Sequence, residues 1–83
     1  MILIETVTDS LNATIAIEQV RRQNAEIPII LSAVLARMEG RVASGATIAK
    51  FLEQIPLDEV SVVGFNCTNG VKPLESALRV LAA

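Results

Sequence analysis

Three apolar runs, each followed by a helical face, set what this chain can fold into. Ile2-Leu3-Ile4, Ile27-Pro28-Ile29-Ile30-Leu31 and Val60-Ser61-Val62-Val63 are near-continuous in aliphatic residues. Such runs, bounded by turn residues, read as strands of a parallel sheet. Lacking alternation, they are expected to be buried on both faces. After each comes the i, i+3, i+4, i+7 pattern of an amphipathic helix. The three sets are Ala13, Ala16, Ile17 and Val20; Ile48, Phe51, Leu52 and Ile55; and Leu74, Ala77, Leu78 and Leu81. The order strand, helix, strand, helix, strand, helix implies an α/β fold with right-handed crossovers.

Local signals place the boundaries. Thr8, Asp9 and Ser10 are candidate N-caps for a helix from about Ser10 to about Gln23. Arg21 and Arg22 near its end suit the helix dipole. Pro28 is tolerated at the start of a strand over Ile27–Ala33. Thr47 is expected to cap a helix over Ile48–Gln54, which Pro56 stops. The third strand is predicted over Val60–Phe65. Asn69-Gly70 reads as a turn, and Pro73 suits the first turn of a last helix. The segment 34–45 has no clean period and two glycines. It reads either as a functional loop or as a solvated crossover.

Composition narrows the chemistry. The 83 residues make one small domain, 1–83, with 52% hydrophobic and 2% aromatic residues. The core must therefore be aliphatic. The surplus of aliphatic surface on so short a chain points to a homo-oligomer or to a missing partner that covers it. A net charge of −2, without a basic stripe, argues against nucleic acid. No apolar run reaches the roughly 18 residues of a membrane span. A single cysteine makes no internal disulfide, and a cytoplasmic location is expected. With no histidine, the chain has no Ser-His or Cys-His pair and no His-based metal site.

Candidate functional groups sit where α/β proteins carry them, just past the C-terminal ends of strands. The third strand ends in Phe65-Asn66-Cys67, with the only cysteine of the chain. Glu5-Thr6 and Ser32 end the first two strands in the same way. Taken alone, Cys67 reads as a small half-buried thiol filling a strand end, and Glu5 has the alternative of a solvated carboxylate near a helix N-terminus.

Three motifs in order resemble the homocysteine S-methyltransferase family, which includes the homocysteine-binding domain of cobalamin-dependent methionine synthase. Ile2-Leu3-Ile4-Glu5-Thr6-Val7 with Asp9 and Leu11 is similar to that family's Glu-Thr strand end and helix start. Gly40-Arg41, Ser44-Gly45 and Thr47 resemble its Gly-Arg-x-x-Ser-Gly-x-Thr loop, and Gly64-Phe65-Asn66-Cys67 its Gly-hydrophobic-Asn-Cys strand end. The resemblance implies the middle part of a (β/α)8 barrel, about three of its eight units. It implies methionine biosynthesis by methyl transfer to the thiolate of homocysteine at a catalytic zinc. Carried over, Cys67 would be a metal ligand, Glu5 a substrate contact, and Asn66 a residue shaping the substrate site. The family's other two thiolates come from a Gly-Gly-Cys-Cys-Gly segment that this sequence lacks. The chain alone is therefore expected to bind no zinc and to be inactive. A non-catalytic self-assembling α/β module is the alternative expectation. The sequence departs from the family after the second strand. Ser32-Ala33-Val34 stands where Ser-Gly-Thr or Ser-Phe-Thr is common, and Arg37 where an Asp falls.

Overall fold

A computed structural model describes residues 1–37, 40–67 and 70–82. The elements follow in the order β1 (Ile2–Val7), α1 (Ser10–Gln23), β2 (Ile29–Val34), α2 (Ile48–Gln54), β3 (Val62–Asn66) and α3 (Val71–Ala82). A single 3-10 turn, Leu57–Glu59, lies between α2 and β3. The sheet is parallel, in the order β1-β2-β3. This is the α/β arrangement that the alternating pattern predicts.

The helix boundaries agree closely with the local signals. Asp9 caps α1, its carboxylate accepting from the Asn12 backbone N–H at 2.7 Å. Thr47 caps α2 by accepting from Lys50 N–H at 3.2 Å. Pro73 lies in the first turn of α3, where a missing N–H leaves no helical bond unmade. Pro28 contributes only its carbonyl, which accepts from Ile2 N–H at 2.9 Å. The strands are displaced by one or two residues from their predicted limits. The 3-10 turn, which carries no periodic signal, delays the start of β3 to Val62.

One face of the sheet carries the core. Ile29, Leu31 and Ala33 of β2 are fully buried against Ala13 and Ile17 of α1, Ile48 and Phe51 of α2, and Ala77 of α3. Ile4 of β1 and Phe65 of β3 pack at the margin of this cluster. The expectation that all three strands are buried on both faces fails. Leu3 is 53% exposed and Val62 52%. Both belong to edge strands, and their side chains lie on the sheet face opposite the three helices. The continuous apolar runs therefore record two faces, of which this chain covers one.

The segment between β2 and α2 is not a solvated crossover. Val42 is fully buried in the core. Ala36 N–H donates to Arg41 O at 2.8 Å, Ala43 N–H to Val34 O at 2.8 Å, and Ser44 N–H to Thr8 O at 3.0 Å. Gly40 and Gly45 make its reversals at φ of 81° and 99°, a region that side chains disfavour. Part of this segment, Met38 and Glu39, lies outside the described residues, as does Asn69 of the expected Asn69-Gly70 turn.

Candidate functional site

The C-terminal ends of the three parallel strands converge on the side chain of Asn66. Ser32 Oγ donates to Asn66 Oδ1 at 2.7 Å. Thr6 N–H donates to the same oxygen at 3.4 Å. Asn66 Nδ2 donates to Thr6 Oγ1 at 3.3 Å and to Cys67 Sγ at 3.3 Å. The pairing explains why these groups meet. Ser32 lies beside Gly64 and Val34 beside Asn66, so Ser32 and Asn66 share the uncovered face of adjacent strands. Gly64 offers no side chain between them.

Thr6 reaches the cluster through a bulge. Ile4 pairs with Leu31 and Val7 with Ala33, so three steps along β1 match two along β2. The extra residue returns Val7 to the core, where it is 7% exposed. In a regular strand Thr6 would take that place. Bulges of this kind re-aim side chains at the rims of sheets.

Of the residues singled out in the sequence, Asn66 and Cys67 are thus together with Thr6 and Ser32. Glu5 is exposed beside Thr6 in the bulge. Among the described residues the ion pairs are Arg21–Glu59, Lys50–Glu53 and Arg79–Glu75, so the Glu5 carboxylate is in none of them. Cys67 is a free, exposed thiol. Arg41 serves the loop: its Nη1 donates to Gly45 O at 2.7 Å. Asp9 is committed to the α1 cap. The strand-end positions of Thr6 and Ser32 are visible in the sequence. The bulge that brings Thr6 to Asn66 is not, because no glycine marks it.

A family model for homocysteine S-methyltransferases matches residues 1–83. The chain belongs to the homocysteine S-methyltransferase family. No solved structure matches it. The zinc ion that the sequence resemblance implies would need donors from this homocysteine S-methyltransferase family chain. Among the described residues no group of three or more His, Cys, Asp or Glu side chains could hold a metal ion. Cys67 offers one sulfur, whereas zinc takes four ligands, about three of them from protein at a catalytic site. The described residues do not by themselves fit a zinc ion.

Proposed function

We propose that this chain forms part of the homocysteine site of a methyltransferase and has no methyl-transfer activity alone. The observation that carries the reading is the convergence of Thr6, Ser32, Asn66 and Cys67 at the C-terminal ends of parallel strands. Such ends are where α/β barrels bind substrate. In this reading Glu5 accepts hydrogen bonds from the substrate ammonium group. Its exposed carboxylate, outside the ion pairs among the described residues, supports that role. Cys67 is one sulfur donor of a zinc centre whose other donors lie on polypeptide other than these 83 residues. The remainder of a barrel would cover the open face of the sheet.

The test is zinc retention and homocysteine methylation by the chain alone, and by the chain mixed with a polypeptide bearing an adjacent Cys-Cys pair from the family. The chain alone is expected to retain no zinc and form no methionine. The mixture is expected to do both, and to lose both with Cys67→Ser. Turnover by the chain alone, or a fully active Cys67→Ser mixture, would overturn the reading.

A second reading, a self-assembling structural module, is favoured by the apolar face at Leu3 and Val62 and by two open sheet edges. Unpaired edges tend to pair with further copies. A strictly monomeric chain at high concentration would remove it.

A further inference from the structure

We infer that Asn66 is a positioning residue, whose amide holds the bulge at Thr6 and the turn at Cys67 in place while making no substrate contact of its own. The inference rests on the strand ends being the homocysteine site. Two independent features carry it.

The first is the saturation of the amide. A side-chain amide offers two protons and two oxygen lone pairs. Here Oδ1 receives Ser32 Oγ and Thr6 N–H, and Nδ2 donates to Thr6 Oγ1 and Cys67 Sγ. All four positions are taken within the chain, the bond from Ser32 being the shortest at 2.7 Å. The orientation of the amide is also fixed. A backbone N–H only donates, so the atom facing Thr6 N must be the oxygen. Ser32 must then act as donor, and Nδ2 must face the sulfur.

The second is the backbone. Among the described residues, the non-glycine residues with positive φ are Thr6 at 59° and Cys67 at 56°. That region is disfavoured for side chains, most of all for a β-branched residue such as Thr. Strained residues persist where their surroundings hold them, and they cluster at functional sites. These two lie at the ends of strands that are not neighbours, with β2 between them. Their shared bonding partner is Asn66. The amide therefore spans the sheet and couples two strained strand ends, with Ser32 of β2 anchoring its oxygen. The sulfur of Cys67 and the carboxylate of Glu5 follow from that arrangement, since each sits on or beside a residue the amide restrains.

The experiment is NMR of the full chain, in the wild type and in Asn66→Asp, Ser32→Ala and Ser32→Thr. Cα and Cβ shifts of Thr6 and Cys67 report whether each is left-handed or extended. In the wild type both are expected to be left-handed. The Asn66 side-chain amide protons are expected to exchange more slowly than those of Asn24. Asn66→Asp keeps the acceptor for Thr6 N–H and Ser32 but removes both donors. Cys67 is then expected to shift to extended values while Thr6 changes less. Ser32→Ala is expected to shift both residues, and Ser32→Thr to restore them. Each variant is compared with Ile17 and Phe51 signals, which report the intact core. A residue with a merely structural role would change stability without this pattern.

Left-handed shifts at Thr6 and Cys67 that persist in folded Asn66→Asp and Ser32→Ala would overturn the inference. So would amide protons of Asn66 that exchange as freely as those of Asn24. Neither zinc nor homocysteine enters the measurement. Failure of the methyltransferase assay therefore leaves this result standing, and failure here leaves that assay intact.

Discussion

Arg21 and Glu59 meet at the end of the sheet opposite the strand-end cluster, with Nε 2.6 Å from Oε2. The same guanidinium donates to the carbonyl of Ile27 at 2.6 Å and to that of Glu59 at 2.8 Å. One side chain thus ties the C-terminus of α1 to the segments that lead into β2 and β3. In α/β barrels this end of the strands serves stability rather than chemistry.

Replacing Arg21 with Met is expected to destabilise the fold by about 1–3 kcal/mol, because it leaves part-buried carbonyls without a donor. Glu59→Gln is expected to cost less, about 0–1 kcal/mol, since the ion pair is partly exposed and the carbonyl bonds survive. Urea denaturation of both variants checks the order. Equal losses would mean that the ion pair, not the carbonyl bonds, carries the contact.

Phe51 is fully buried in a core that is otherwise largely aliphatic. Truncating it to Ala leaves a cavity in the core cluster to which Ile17, Ile48 and Leu31 also belong. The expected loss is about 3–5 kcal/mol. A small domain has a total of only about 5–15 kcal/mol. Phe51→Ala is therefore expected to be largely unfolded at physiological temperature, seen as loss of far-ultraviolet circular dichroism. Phe51→Leu is expected to remain folded.

Gly45 tests the loop between β2 and α2. A Cβ added there would meet no atom within 4 Å, so the cost is purely conformational. At φ of 99° that cost is expected to be about 1–2 kcal/mol for Gly45→Ala. A stability unchanged by the substitution would show that the loop takes another path. Because Ser44 N–H holds Thr8 O, the variant is also expected to speed amide exchange at Ser44.

The helices are legible in the sequence because caps and apolar spacing are local. Asp9, Thr47 and Pro56 mark their ends whatever the rest of the chain does. Strand positions are legible too, but their burial is not. An apolar run specifies faces that resist water, and Leu3 and Val62 show that covering them needs atoms this chain does not supply. The convergence of strand ends follows from parallel order. The bulge at Thr6 does not, because it arises from a choice between Thr6 and Val7 for one core position. Only the packed structure makes that choice visible, and the Asn66 bonds depend on it.

The open face of the sheet exposes apolar side chains to water. Leu3 and Val62 flank Ile30 on that face, at the ends where the strands begin. Both are about half exposed, so changing them removes little internal packing. If the face meets further polypeptide, a charge there must be desolvated on association, at a high cost. Val62→Lys is therefore expected to shift any self-association to higher concentration without lowering the unfolding midpoint by much. Leu11→Lys, on the outer side of α1 at 68% exposure, is the matched control and is expected to leave association unchanged. Sedimentation equilibrium over a range of concentrations checks both. Association weakened by Leu11→Lys instead would move the contact to the helical side, where Val71 and Leu78 are also exposed. Association weakened by Val62→Lys alone would identify the uncovered sheet face as the surface that copies of this chain share.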